Sequence, residues 1–237
     1  MADDPLLSRF RELWQRLGAD DVALDDTGRG IVAAYEGPGR AYHSRRHLED
    51  VLEKLDWGRT ALGASGDLKD IAQGERVRLF DTVELALWYH DVVYDPTQKD
   101  NEARSRDKFL ADAARYNLRQ DLRADIAKLI DITASHRKAA TLSEKIMCDC
   151  DLAILGAPQE EFSKYDANIR KEYAHVPEAT YQAARRHVLG GFLKDKSLFK
   201  TKAFQDRFDA QARANLSGAV KPLVKWLKSL FRGPKSP

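Results

Sequence analysis

Apolar residues recur along almost the whole chain with the three- and four-residue spacing of amphipathic helices. The first stripe consists of Leu6, Phe10, Leu13, Trp14 and Leu17. Pro5 precedes this stripe and Gly18 follows it, as is typical of the two ends of a helix. No segment shows a convincing alternation of apolar and polar residues of the kind that indicates a strand. The pattern therefore predicts an all-α fold, which we expect to contain about ten helices.

Two later stripes carry a histidine at one end. His90 shares a helical face with Val83 and Leu87, and His136 closes another stripe. The segments between stripes are rich in turn-forming residues, and none is long or biased enough to mark a linker between domains. We expect one helical domain over residues 1–218.

Residues 219–237 have a different character. Apolar side chains from Val220 to Phe231 follow the helical spacing, while basic residues gather on the remaining surface. A basic amphipathic helix can lie on an anionic membrane or bind a partner, but a terminal helix of this kind usually covers its own domain. We expect the second arrangement for this tail.

The composition, with 43% hydrophobic and 32% charged residues among 237, is ordinary for a globular protein. The formal net charge of +2 predicts no nucleic-acid partner. The chain begins without the features of a signal peptide, and no apolar run approaches membrane-spanning length, so we expect no membrane partner. Cys148 and Cys150 point in different directions on a predicted helix and should stay reduced. These features predict a cytoplasmic protein and leave its oligomeric state open.

Histidines and aspartates in helical context form a candidate metal site. His90 and Asp91 end an apolar helical run, where the terminal carboxylate can turn back toward its neighbour's ligand. His47 lies upstream, and "CDCD" supplies an aspartate downstream. Two imidazoles and two carboxylates suit Mn²⁺, Fe²⁺, Mg²⁺ or Ni²⁺ with water completing an octahedron, whereas structural zinc more often uses thiolates. Taken alone, a histidine on an apolar face is more often a satisfied core residue than a ligand.

The spacing of His43 and His47 also occurs in zinc proteases. Their motif H-E-x-x-H contains a glutamate that serves as general base. The stretch "HSRRH" lacks this glutamate, so we reject the protease hypothesis.

The order H…HD…D, carried by His47, His90, Asp91 and an aspartate near position 150, resembles the HD superfamily of metal-dependent phosphohydrolases. The similarity is closest to a bacterial group of predicted HD phosphohydrolases and covers roughly residues 6 to 216. It rests on "YHSRRHLEDVL", "WYHDVVYDP", "DNEARSRD", "DCDLAILGAP", "IRKEY" and "LSGAV". The first stretch is also similar to "YHNxxHAxDV" of the cyclic nucleotide phosphodiesterases, a distant branch.

The resemblance implies a division of labour between the two nearby histidines. In the phosphodiesterases the first histidine of the motif is a general acid and the second binds metal. Carried over to this chain, His43 protonates the leaving oxygen, while His47 binds the metal together with His90 and Asp91. Asp91 is also expected to orient the attacking water.

The last ligand is one of two aspartates. Asp151, which is followed by leucine, lines up with the "ADL" that carries the last ligand in the phosphodiesterases. We therefore choose it over Asp149, which would then be a cap or a hydrogen-bond acceptor near the site. The phosphodiesterases have another histidine where Tyr94 stands here, which weakens the case for a second metal. His136 remains open as an extra ligand, a core histidine or a helix-terminal cation.

Phosphate favours arginine and lysine, although most basic residues near the motifs lie on predicted solvated faces. Arg170 and Tyr173 in "IRKEY" are our candidate substrate-binding residues, because Tyr173 continues an apolar stripe that faces the core or a cleft.

These observations predict an enzyme that uses a divalent metal to hydrolyse a phosphoester or phosphoanhydride in a small molecule such as a nucleotide. Two other functions remain open. One is an HD-fold di-iron oxygenase, and the other is a module that binds a nucleotide without turnover.

Overall fold

The computed structural model describes residues 4–19 and 22–220. Its first nine helices are α1 (Pro5–Arg16), α2 (Leu24–Tyr35), α3 (Arg45–Ala64), α4 (Gln73–Tyr89), α5 (Asn101–Arg115), α6 (Gln120–Ile132), α7 (Leu142–Leu152), α8 (Gln159–Glu172) and α9 (Glu178–Lys194). The tenth, α10, is α-helical over Lys202–Phe204, π-helical over Gln205–Asp209 and α-helical again over Ala210–Val220. A short 3₁₀ turn, Ala153–Gly156, follows α7. No strand occurs within the described ranges, so the predicted all-α fold and the expected number of helices are confirmed.

The first helix shows how local sequence sets helix ends. Oδ1 of Asp4 accepts a hydrogen bond from the backbone N–H of Leu6 at 3.1 Å. Pro5 occupies the first helical position, where its missing N–H would have had no helical partner. Beyond the last turn, Gly18 has φ of +95°, a left-handed conformation that glycine tolerates best. Both predicted ends of α1 are therefore confirmed.

Helix α4 runs through the centre of the bundle. It packs against α1, α3, α5, α6 and α7, and every residue from Phe80 to Tyr89 is buried. Its buried carboxylate Glu84 is neutralised by Arg9 at 2.8 Å and Arg59 at 2.7 Å. The C-terminal part of α4 is thus buried on all sides, and the helix ends in the interior. The candidate His-Asp pair at that end is therefore placed inside the protein.

All ten helices contribute buried apolar side chains to one connected core. Helix α10 extends to Val220 and so passes the predicted domain boundary at residue 218. The predicted basic tail otherwise lies outside the described residues. Among the described helices, none is both long and apolar enough to cross a lipid bilayer.

The π-helical turn in α10 lies against the 3₁₀ turn that follows α7. A Cβ added to Gly156 would lie 2.6 Å from Cβ and 2.6 Å from the carbonyl oxygen of Phe208. A π-helical turn holds one residue more than an α-helical turn, which changes the side chains that face the neighbouring element. The contact leaves room only for glycine at position 156.

Candidate metal centre

Four residues predicted as ligands meet from three helices. His47 lies in the first turn of α3, His90 and Asp91 directly follow α4, and Asp151 lies in the last turn of α7. The imidazoles of His47 and His90 are 2% and 1% exposed, whereas the carboxylates of Asp91 and Asp151 are 13% and 14% exposed. Most of the site is thus shielded from water, and the carboxylates keep partial access to it.

The side-chain atoms of these residues lie close to one another. Nε2 of His47 is 3.1 Å from Nε2 of His90, and the two nitrogens are 3.4 and 3.0 Å from Oδ2 of Asp91. Oδ1 of Asp151 is 3.4 and 3.6 Å from the same two nitrogens. Ligand atoms about 2.1 Å from one metal ion lie about 3.0 Å apart at a right angle and about 3.4 Å apart at a tetrahedral angle. The observed spacing fits a single divalent cation.

The backbone determines which nitrogen of His90 faces the site. Its Nδ1 lies 2.8 Å from the carbonyl oxygen of Leu87, and a carbonyl only accepts hydrogen bonds. Nδ1 therefore carries the proton in the neutral ring. The lone pair of Nε2 is then directed toward His47 and Asp91, as a metal ligand requires.

Burial opposes the charged form of every group in the cluster, but the groups stabilise one another's charges. The neighbouring carboxylates raise the pKa of the His90 imidazole well above its usual value and also raise the pKa of His47. The imidazoles in turn hold the pKa values of Asp91 and Asp151 well below their usual range. The carboxylates therefore draw protons onto the two imidazoles, and a bound metal ion would replace those protons.

His43 lies beside the cluster in a hydrogen-bonded unit of its own. Its Nδ1 is 2.8 Å from Oε2 of Glu172, and its ring stacks on Tyr94 with centroids 4.1 Å apart. Tyr94 donates its hydroxyl to the same carboxylate oxygen at 2.9 Å. Because an ionised carboxylate only accepts, Nδ1 of His43 is the donor, and Nε2 is the nitrogen left for other chemistry.

Glu172 also holds the segment that precedes α3. Its Oε1 accepts hydrogen bonds from the backbone N–H groups of Ala41, Tyr42 and His43 at 2.9, 2.7 and 2.9 Å. Burial opposes ionisation of this carboxyl, but His43 and the N–H groups lower the pKa of Glu172 below its usual value. One ionised side chain thus fixes both the ring and the backbone of His43.

Arg40 joins the same segment to the end of α4. Its guanidinium donates to the carbonyl oxygens of His43, Asp91 and Val92 at 2.9, 2.7 and 2.8 Å. These three bonds connect parts of the chain that lie about fifty residues apart, and so they set the position of His43 relative to the His-Asp pair.

The two neighbouring aspartates have different surroundings. Asp149 is buried and accepts hydrogen bonds from the backbone N–H groups of Lys200 and Thr201 at 2.7 and 2.8 Å, and from the Thr201 hydroxyl at 2.7 Å. Burial raises the pKa of Asp149 to about 6. Asp149 therefore anchors the segment before α10, and of the two only Asp151 borders the imidazoles.

His136 contacts the cluster through Asp151. Its Nε2 lies 2.6 Å from Oδ2 of Asp151, the oxygen that is not directed at His47 and His90. The residue follows the C-terminal end of α6 with φ of +54°. The predicted helical stripe therefore ends before His136, and the turn after α6 places this imidazole beside Asp151.

Glu172 and Arg40 are not among the residues predicted for the site. In the stretch "IRKEY" the predicted substrate-binding residues are Arg170 and Tyr173, although Glu172 is in helical phase with the buried Tyr165. An acidic residue on the apolar face of a predicted helix is the feature of the sequence that could have identified Glu172 as a site residue.

The structure places Arg170, a predicted substrate-binding residue, at the C-terminal end of α8. Its guanidinium bonds to Glu178 at 2.8 Å and to the carbonyl oxygens of Tyr173 and Val176 at 2.6 and 3.1 Å. These bonds hold the guanidinium of Arg170 at the C-terminal end of α8, and none of them involves a residue of the cluster.

Two cavities adjoin the cluster. One, of about 440 Å³, has His47 and Asp151 in its wall together with charged residues of α3 and α10. The other, of about 430 Å³, has His43, Asp151 and Tyr173 in its wall and is mostly apolar. Both are large enough for a small molecule, and Arg170 is in the wall of neither.

Comparisons of the chain with protein-family models, curated proteins and solved structures found no match. The function therefore has to be inferred from the chemistry of the site.

Proposed function

We propose that the protein is a metal-dependent phosphohydrolase of the HD type, which cleaves a phosphoester or phosphoanhydride in a small molecule. The observation that carries the proposal is that Nε2 of His47 and Nε2 of His90 lie 3.1 Å apart, and that each lies 3.0 to 3.6 Å from a carboxylate oxygen of Asp91 and of Asp151. Two neutral imidazoles and two carboxylates suit Mn²⁺, Fe²⁺, Mg²⁺ or Ni²⁺, and the carboxylates balance the charge of a divalent ion.

His47, His90, Asp91 and Asp151 would hold the divalent metal, which would supply polarisation of the phosphoryl oxygen and activation of a water molecule near neutral pH. Asp91 orients the attacking water by accepting one of its hydrogen bonds. The two imidazoles are almost fully buried, whereas Asp91 and Asp151 keep the partial access to solvent that an attacking water needs.

His43 supplies the proton that the leaving oxygen needs. Glu172 accepts a hydrogen bond from Nδ1–H of His43, so that Nε2 is the nitrogen from which a proton is donated to the leaving group. Tyr94 stacks on the ring, and Arg40 binds the backbone carbonyl of His43, so the position of the ring is set before the substrate binds. Proton donation of this kind accelerates a reaction by roughly 10² to 10⁴.

The proposal includes a cytoplasmic location and a small phosphorylated substrate, with neither nucleic acid nor a membrane as partner. Two buried free cysteines, Cys148 and Cys150, support a reducing compartment.

A di-iron oxygenase is the second candidate, and one observation favours it. His136 lies on the side of Asp151 that faces away from His47 and His90, so this carboxylate has an imidazole on each side. A second metal would need further ligands there. Among the described residues, His47, His90 and Asp91 form a mutually close group of candidate metal ligands, and His136 is not part of it.

The test begins with the metal content of the purified protein. A screen of phosphate esters and anhydrides with Mn²⁺, Mg²⁺, Fe²⁺ and Ni²⁺ follows, with iron-dependent oxygen consumption measured in parallel. We expect one equivalent of metal and metal-dependent phosphate release. His90→Ala and Asp91→Ala should each abolish both while preserving the helical circular-dichroism signal. Two equivalents of iron with oxygen uptake would favour the oxygenase, and tight nucleotide binding without phosphate release would favour the binding module.

A further inference from the structure

The cavity of about 440 Å³ is lined by α3, by the segment that follows α7 and by the π-helical turn of α10. Its wall contains His47 and Asp151, so a molecule held by a metal in the cluster can extend into it. Val51, Ile154 and Phe208 are among the apolar residues of the same wall. The cavity therefore joins the cluster to a space that suits the carbon chain of a small molecule.

The wall also contains three cations and four carboxylates, which are Arg46, Lys54, Arg207, Asp50, Glu53, Asp151 and Glu161. Arg46 lies 2.7 Å from Asp50, so these two charges compensate each other. Glu161 lies 3.2 Å from Lys164, which is outside the wall. Asp151 is bonded to His136 and belongs to the cluster. Three of the four carboxylates thus have partners of their own.

The fourth carboxylate, Glu53, lies at the edge of the wall. It is exposed, and it also borders a separate depression that contains Arg9 and Arg45. Neighbouring residues on a helix point about 100° apart, so Glu53 and the adjacent Lys54 face different directions. Glu53 therefore does not neutralise the cations of the cavity.

Two cations of the wall, Lys54 and Arg207, have no carboxylate partner. Over residues 4–19 and 22–220, no carboxylate oxygen lies within 4.0 Å of the charged nitrogens of either side chain. Lys54 is half-buried and Arg207 is exposed, so a ligand that enters from solvent can reach both. The wall offers two positive charges that its own carboxylates leave uncompensated.

These two cations come from different elements of the fold. Burial raises the pKa of the Cys150 thiol, and the charge of Lys54 opposes that rise, so the ammonium acts on the residue just before the last proposed ligand. The Arg207 guanidinium lies 5.5 Å from the centroid of the Phe208 ring. Because Phe208 packs tightly against Gly156, the π-helical turn sets the position of Arg207 at the cavity.

A metal site at one end of a cavity and two uncompensated cations in its wall suit a molecule with two negatively charged groups. We propose that the substrate carries a second anionic group, a carboxylate or a phosphate, which Lys54 and Arg207 bind in this cavity while the phosphoryl group lies at the cluster. The assignment as substrate rests on the proposed function. Binding of a compound with two anionic groups does not require turnover.

Calorimetric titration of the intact, Mn²⁺-loaded protein with phosphonates tests the binding. Three matched pairs are used: 3-phosphonopropanoate with propylphosphonate, 4-phosphonobutanoate with butylphosphonate, and 5-phosphonopentanoate with pentylphosphonate. The members of a pair differ only in a terminal carboxylate or methyl group, and hydrolysis of a phosphoester does not cleave their P–C bond. In at least one pair we expect the carboxylate probe to bind about tenfold or more tightly, since charge-assisted hydrogen bonds are strong. Equal affinities within every pair, or no binding of any probe, would overturn the proposal.

Lys54→Met and Arg207→Met remove a charge while keeping an apolar side chain in place. Each should lower the preference for the carboxylate probe, and the double variant should abolish it, while the affinity for the methyl probe stays the same. Arg207→Lys retains a cation and should keep part of the preference.

Arg186→Met is the matched control, because Arg186 is exposed on α9 and lies in the wall of neither cavity. It should leave the preference unchanged. A preference that survives the double variant contradicts the proposal, and so does one that falls as far in Arg186→Met as in the cavity variants.

Phosphate esters with and without a terminal carboxylate separate the two proposals. If the phosphonates show the expected preference but no ester is hydrolysed with any metal, the cavity assignment stands and the proposed hydrolysis fails. If both kinds of ester are hydrolysed with equal kcat/KM and the phosphonates show no preference, the hydrolysis stands and the cavity assignment fails.

Discussion

His136 and Asp151 form a contact of 2.6 Å between Nε2 of the imidazole and Oδ2 of the carboxylate. Because an ionised carboxylate cannot donate, Nε2–H of His136 is the donor. The bond holds the plane of the carboxylate so that Oδ1 faces His47 and His90. His136 thus positions a proposed metal ligand whether or not it contacts a metal itself.

Replacement of His136 should weaken metal binding without changing the number of metals bound. Asparagine is the suitable replacement, since it tolerates the positive φ of this residue. We expect His136→Asn to lower metal affinity about 10- to 100-fold, as is typical when a partner of a ligand is removed. Competition with a chelator measures the affinity, and elemental analysis measures the stoichiometry. A fall from two equivalents to one would instead identify His136 as a ligand of a second metal.

The two aspartates of α7 should have separable roles. Asp151→Asn is expected to lower metal affinity strongly with little effect on stability. Asp149→Asn should keep the metal. It should lower the free energy of unfolding by about 1 to 3 kcal/mol, because the three donors of Lys200 and Thr201 would face an amide in place of a carboxylate. Metal titration and urea denaturation of both variants check this pair of effects. A larger loss of metal affinity in Asp149→Asn would reverse the assignment.

His43→Ala should retain the metal and lose turnover in a way that depends on the leaving group. A nitrophenyl ester has a leaving group of low pKa that needs little protonation, whereas an alkyl ester needs a proton donor. The loss of kcat should therefore be much larger for the alkyl ester. Equal losses for both esters would show that His43 is not the proton donor.

The stabilising effect of Glu172 should depend on pH. Its pKa in the folded protein is below the usual 4.5, so its contribution to the free energy of unfolding is complete above that value and is lost as the pH falls through the lower, folded-state pKa. Glu172→Gln should therefore be destabilised relative to the parent protein at pH 7, by about 1 to 3 kcal/mol, and the difference should shrink in acid. Urea denaturation at several pH values between 7 and 3 tests the trend. A difference that is constant across this range would contradict it.

Gly156→Ala should be destabilising because the new methyl group would overlap Phe208. Overpacking of this kind costs about 1 to 3 kcal/mol. Gly63→Ala is the matched control, since a Cβ there meets nothing within 4 Å and alanine favours the helix. Thermal unfolding should show a clear loss for the first variant and no loss for the second.

The sequence predicted the helices well because their signals are local. Pro5, Gly18 and the apolar stripes act within a few residues, and the His-Asp pair lies where the apolar run of α4 ends. The surroundings of Asp149 depend on Thr201, fifty-two residues further along the chain. Helical phase alone therefore could not distinguish the two aspartates of α7.

The same limit applies to the unit around His43. Glu172 is 129 residues from His43 in sequence, and no local pattern pairs them. For Arg170, the local sequence suggests a role but does not show the contacts of the side chain. Its charge suggested phosphate binding, but its donors are used by carbonyl oxygens at the end of its own helix.

Glu172 has a further consequence for amide hydrogen exchange. The N–H groups of Ala41, Tyr42 and His43 share one acceptor atom, the Oε1 of that side chain, which α8 supplies from a distant part of the chain. These three amides cannot be exposed one at a time by fraying of a neighbouring helix, because a single opening event removes the acceptor from all of them. They should share a common protection factor, and that factor reports how much of the time α8 is separated from the segment that carries His43.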